Sequence, residues 1–291
     1  MQVRDILSLL VLAAFWGASF LFLRVAAPEF GPIPLIAVRV AIAALFLLPF
    51  LVSRVGFGGF RRYWKPILVV GATNSALPFC LLAFSTLYLT AGFTAIVNAT
   101  SPLFGAIIAW VWLADRLNRN QVAGLLIGFL GVIVLVWDQI SFRFDGASLA
   151  IPAAILASFL YGFAANFTKR YLLKANALTV ATGSQISTTL VLLPMAVFLW
   201  PEEPVSFWAW MSAIILGIGG TGIAYILYFG LITRIGPTQA ISVTFLVPLF
   251  AVLWGGLLIG EKLTHHMVAG CLIILVGTAL VTRLIGRGRS V

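Results

Sequence analysis

Charge is what this sequence has least of. Only 9% of its 291 residues are Asp, Glu, Lys or Arg, against about 25% in soluble domains, which excludes a soluble globular protein. Cysteine is almost absent: Cys80 and Cys271 both lie in apolar runs, away from any loop. That excludes a disulfide framework, and two thiols without clustered histidines exclude a metal site, so no metal or cofactor is expected. The two histidines, His265 and His266, stand together near a turn. No Asp or Glu falls in the middle of an apolar run, which leaves a carboxylate proton relay without a candidate. No G-x-x-x-x-G-K-[ST] loop is present to harness a nucleotide. No Ser/His/Asp grouping points to an enzyme. The net charge of +10 comes without a basic soluble face, so no nucleic-acid partner is expected.

What the chain does have is apolar length. Hydrophobic residues make up 62% of it and the mean hydropathy is +1.12. Ten runs near bilayer length read as transmembrane helices, at about 6–24, 34–52, 66–89, 93–114, 121–137, 147–168, 177–200, 207–233, 238–259 and 267–285. The first run is too long for the apolar core of a signal peptide. Turn signals separate several runs: Pro28-Glu-Phe-Gly31, Gly56 to Gly59, Pro201 to Pro204 and Gly236-Pro237. With the N-terminus inside, 14 of the 18 Lys and Arg fall in inner segments and six of the eight acids in outer ones. The positive-inside rule then predicts both termini in the cytoplasm.

The chain also repeats itself. At a shift of 146, Pro102-Leu-Phe104 meets Pro248-Leu-Phe250, Asp115-Arg-Leu meets Glu261-Lys-Leu, and Val122-Ala-Gly124 meets Val268-Ala-Gly270. At a shift of 145, Trp16-Gly17 meets Tyr161-Gly162 and Leu47-Leu-Pro49 meets Leu192-Leu-Pro194. The expected fold is an all-α integral membrane protein with two five-helix repeats, 1–140 and 141–291. An odd number of spans per repeat inverts one half relative to the other, around a central cavity.

Prolines mark the candidate site. Pro102 and Pro248 lie deep in matching spans, and each removes a helical hydrogen bond from the carbonyl four residues back, on Asn98 and Thr244. Pro78 does the same to Asn74. Broken helices at matching positions point to a transporter's midplane site, with the three prolines as hinges or helix breaks. Helical spacing puts Thr94, Asn98, Ser101 and Gly105 on one stripe. Matched aromatics, Trp16 with Tyr161 and Phe79 with Tyr225, could line the same space. The substrate-binding set is therefore Asn98, Ser101, Thr244, Trp16, Asn74, Phe79, Tyr161 and Tyr225. Arg39, charged and within a span, either ties helix ends together near the interface or holds a substrate carboxylate.

Trp16-Gly17, Arg24, Pro34 and Arg39, with Gly260-Glu-Lys-Leu-Thr264, Ala269-Gly270 and Gly277, resemble the EamA-type pattern of the drug/metabolite transporter superfamily. The resemblance covers nearly the whole chain. It implies ten helices around a cavity and export of small metabolites, amino acids prominent among them, with YddG-type aromatic amino-acid exporters as the nearest functional comparison. Ala99-Thr100-Ser101 is less aromatic than that type has before the span-four proline, which widens the expectation to other neutral amino acids. The expectation is thus a bacterial inner-membrane secondary transporter with a small-molecule substrate and the lipid bilayer as partners. Alternatives are an exporter of cationic drugs or other metabolites, and a passive channel.

Overall fold

The computed structural model describes residues 2–114, 116–137, 146–235 and 243–281. Asp115, Asp138, Arg143, Asp145, Gly236-Pro237 and the arginines after 281 lie outside the described residues. The described chain is helical: α1 (Val3–Phe30), α2 (Pro32–Arg54), α3 (Gly58–Val70), α4 (Leu77–Tyr88), α5 (Ala91–Asn98), α6 (Ser101–Leu113), α7 (Arg119–Val136), α8 (Gly146–Tyr171), α9 (Ala177–Phe198), α10 (Phe207–Gly217), α11 (Ala224–Ile235), α12 (Val243–Ile259) and α13 (His265–Val281). Two π-helical segments, Gly71–Ala76 and Ile218–Ile223, join α3 to α4 and α10 to α11 into continuous spans. Seven helical stretches among the described residues are long and apolar enough to cross a bilayer, and three shorter apolar helices accompany them. In lipid only a helix satisfies its own backbone, which is why runs this apolar fold this way.

Helices begin where the chain supplies an acceptor for their first N–H groups. Thr90, Asn118, Asn176, Ser206 and Thr264 accept from the backbone N–H of Phe93, Gln121, Leu178, Ala209 and Met267, respectively. Between α1 and α2 the chain reverses at Gly31, whose φ of +76° an L side chain would resist. The turn expected at Pro28 starts later, because α1 runs through that proline to Phe30.

The halves pack as a pseudo-two-fold axis requires. α1 lies against α12, and its counterpart α8 lies against α5 and α6. α1 also meets the α10–α11 span, as α8 meets the α3–α4 span. The self-related pairs are α2 with α9 and α7 with α13. Small residues set these approaches at equivalent positions. A Cβ on Gly17 would stand 2.6 Å from Phe250 Cβ, and one on Gly162 would stand 2.6 Å from the Gly105 nitrogen. The main core gathers α1, α2, α4, α5, α8 and α10 around Phe20, Phe30, Ile36, Phe93 and Leu216.

Candidate substrate site between the two halves

Five of the expected residues come together in the interior. Arg39 enters from the eighth residue of α2, about 10 Å along the helix from Pro32. Its guanidinium lies over the Phe79 ring at 3.9 Å from the centroid, and its Nε donates to Thr221 Oγ1 at 3.1 Å. The side chain is 4% exposed, so the route that would snorkel it to the interface is not taken. Phe79 in turn faces Tyr161, with ring centroids 6.4 Å apart. Asn74 Nδ2 donates to the Tyr225 hydroxyl at 3.3 Å. Both tyrosines are close enough to interact electrostatically with Arg39.

The π segments explain this convergence. A π turn holds one more residue than an α turn, so it rotates the helix and re-aims the side chains that follow. Asn74 and Ser75 lie on the first such segment and Thr221 on the second, at the level where α2 and α9 pack against them. The two halves make the same tether here. Gln185 Nε2 on α9 donates to Ser75 Oγ at 3.1 Å, mirroring Arg39 Nε on Thr221 at 3.1 Å. Thr221, Ser75 and Gln185 escape a search for prolines and aromatics. The repeat offset could have found them, since 146 carries Ser75 onto Thr221 and 145 carries Arg39 onto Ser184, beside Gln185.

Span four is broken as its proline requires, between Asn98 and Ser101. The carbonyls around the break are nonetheless paired. Ser101 Oγ donates to the Asn98 carbonyl at 2.7 Å, the residue that Pro102 deprives of its helical donor. Thr100 Oγ1 and Ser158 Oγ both donate to the Val97 carbonyl, at 2.7 and 3.2 Å, and Thr278 Oγ1 donates to that of Ala99 at 3.4 Å. Thr94 Oγ1 likewise turns back to the Thr90 carbonyl. What is left open is the Asn98 side chain, whose Oδ1 is enclosed and has no donor among the described residues.

The twin position behaves differently. Pro248 lies inside α12, which stays helical through that point. Thr244 sits half-buried in the first turn of α12. Pro78 opens α4 directly after the first π segment, which accommodates its missing N–H. Trp16 borders both the main core, which contains Phe79, and a second cluster. Its ring packs at 5.4 Å on Tyr228, in that second cluster with Leu12, Leu231 and Phe250.

At both ends of the bundle polar ties cross between helices. On the expected outer side, Arg24 Nη1 donates to the Thr86 carbonyl, Glu29 accepts from Ser206 N and Oγ at 2.7 and 2.8 Å, and Glu261 accepts from Ala91 N and Gly92 N at 2.8 and 3.3 Å. On the expected inner side, Arg234 pairs with Asp5 at 2.9 Å.

The whole arrangement matches a known family. The model of the EamA-like transporter family matches the chain twice, over residues 4–137 and 148–283. The chain belongs to the EamA-like transporter family. An uncharacterized transporter of Archaeoglobus fulgidus is 25% identical over 92% of this chain and 95% of its own length. A probable terminal-alkyne amino-acid exporter of Streptantibioticus cattleyicolor is 24% identical, over 99% of this chain and 96% of its own. A probable amino-acid metabolite efflux pump of Escherichia coli is 22% identical over 95% and 94%, respectively. A solved crystal structure superposes with a TM-score of 0.69 at 19% identity, covering 99% of this chain and 100% of that one, which establishes the fold. Like other members of the EamA-like family, this protein is an integral membrane transporter and not an enzyme.

Proposed function

We propose that this EamA-like transporter exports amino acids, aromatic or other neutral ones, from the cytoplasm across a bacterial inner membrane. Its two repeats, residues 1–140 and 141–291, rock about a midplane site, with both termini cytoplasmic. The observation that carries the reading is the pair of links beside the π segments, Asn74 to Tyr225 and Arg39 to Thr221, which join the two repeats. There Arg39, Asn74, Phe79, Tyr161 and Tyr225, drawn from both repeats, form a polar and aromatic group inside a membrane protein. Asn98 contributes a buried acceptor with no donor among the described residues, which a rearrangement of the site would uncover for a substrate ammonium. Two relatives, though distant, carry amino-acid export in their names. Trp16, Ser101 and Thr244 complete the proposed lining, Ser101 by holding the broken backbone in shape. Pro78, Pro102 and Pro248 are the proposed hinges.

The test is counterflow of labelled phenylalanine and threonine in proteoliposomes, with and without a pH gradient. Saturable exchange indifferent to the gradient is the expected result, because no carboxylate lies within the apolar runs to carry a proton. A linear, unsaturable flux would instead support a channel. Exchange of organic cations without amino acids would support a drug exporter. Asn98→Ala is expected to lower exchange well below the loss in folded protein; equal losses would make Asn98 a packing residue.

A further inference from the structure

Asp5 and Arg39 are the only charged side chains buried among the described residues. Asp5 is answered by Arg234. Arg39 has no carboxylate partner among the described residues; its one hydrogen bond goes from Nε to the Thr221 hydroxyl. Phe79 covers one face of the guanidinium. The four N–H groups on Nη1 and Nη2 thus have no acceptor among the described residues, although a guanidinium presents them as a fork matched to a carboxylate. Enclosed polar side-chain atoms without partners occur on Asn98, Thr179, Thr182 and Gln185, and not on Arg39. The fork therefore keeps some surface that packed protein does not close.

The other half shows that the tether needs no charge. Gln185 makes the equivalent bond to Ser75 with a neutral amide at the same distance, 3.1 Å. A purely structural role at position 39 would be met by the same neutral side chain. A cation retained in an apolar interior, with its fork open, points to an anionic ligand that comes and goes.

We propose that Arg39 is the anchor for a substrate carboxylate, received edge-on by Nη1 and Nη2 while Thr221 and Phe79 hold the guanidinium in place. This makes the transported class one with a free carboxylate, and it rests on the amino-acid reading of the same site. Decarboxylated or amidated analogues are then poor ligands.

Arg39→Gln copies the tether of the other half and so tests the charge alone. Counterflow of labelled phenylalanine is competed with 3-phenylpropionate and with phenylalaninamide, for the wild type, Arg39→Gln and Arg39→Lys. In Arg39→Gln, affinity for phenylalanine and 3-phenylpropionate is expected to fall about 10- to 100-fold, the range for a lost charge-assisted pair. Phenylalaninamide should compete as before or better. Arg39→Lys, which keeps the charge without the fork, should fall between the two. Unchanged discrimination in a folded Arg39→Gln protein would overturn the proposal, as would equal losses for acid and amide. Should Arg39→Gln fail to fold, a selective loss for the two acids in Arg39→Lys supports the proposal and its absence overturns it.

Thermal stabilisation of the detergent-solubilised protein by 3-phenylpropionate separates this proposal from the amino-acid reading. Wild type that exchanges no amino acid, yet gains stability from 3-phenylpropionate where Arg39→Gln does not, would overturn only the amino-acid reading. Wild type that exchanges phenylalanine with no dependence on residue 39 would overturn only the anchor.

Discussion

Gly124 and Gly277 cross with no room between them for a side chain. A Cβ on Gly124 would stand 2.7 Å from the Gly277 carbonyl oxygen and 2.8 Å from Leu280 Cβ. Gly124→Val is expected to destabilise the α7–α13 pair by about 1–3 kcal/mol, the usual cost of overpacking. Thermal unfolding of the purified protein should show it, while Gly58→Ala, with nothing within 4 Å, should leave the curve in place. That Gly124 and Gly128 serve close helix packing is legible in the sequence, because small residues at helical spacing in an apolar run have one main use, but the partner Gly277 comes only with the fold. The surroundings of Asn98 are only half legible. Proline arithmetic identifies the carbonyl that loses its donor, but not that the neighbouring Ser101 hydroxyl folds back to replace it. Ser101→Ala removes that donor, and a loss of about 0.6 kcal/mol is expected from interhelical averages, more if no water reaches the carbonyl. Thermal unfolding beside counterflow will separate this stability effect from an effect on transport.

The half-helix α5 depends on a residue far away in sequence. Glu261, in the turn between α12 and α13, accepts from the first two N–H groups of α5 and places a negative charge at the positive end of its dipole. Glu261→Gln is expected to cost about 0.5–2 kcal/mol, as capping losses do. Hydrogen exchange should quicken at residues 91–94 and not in α13, which Thr264 caps independently. The sequence suggests a cap or loop partner for this glutamate, but the partner helix comes only with the fold. The π segments were not legible at all. Gly71–Ala76 contains one glycine and leads to a proline, whereas Ile218–Ile223 contains three glycines and leads to none. With no shared local pattern, these segments owe their form to the packing of α9 and α2 beside them. Arg39 shows the same limit. Its distance from the span end permits an interfacial position, and only the packing of Phe79 and Thr221 brings it inward.

At the scale of the molecule, the ten runs and the internal repeat are the most legible features. They rest on length and hydropathy, which the bilayer enforces without regard to detail. The helix ends were the weaker part, since α1 passes Pro28 and α3 begins eight residues before its expected start. If the halves rock, the outer ties must part. Cysteines replacing Glu29 and Ser206, joined by a short bifunctional maleimide in a chain carrying Cys80→Ala and Cys271→Ala, are expected to stop counterflow. Each single replacement should retain most of it. The contrast between Pro102 and Pro248 bears on the same motion. One motif occurs twice, and in this structure the helix is interrupted by a two-residue turn in one copy and continuous in the other. On the hinge role proposed above for these prolines, the two copies stand for two positions of one hinge. Exchanging them between the repeats sketches the opposite-facing state: span four mended at Pro102, span nine opened at Pro248, and the backbone of each half serving as the mould for its twin.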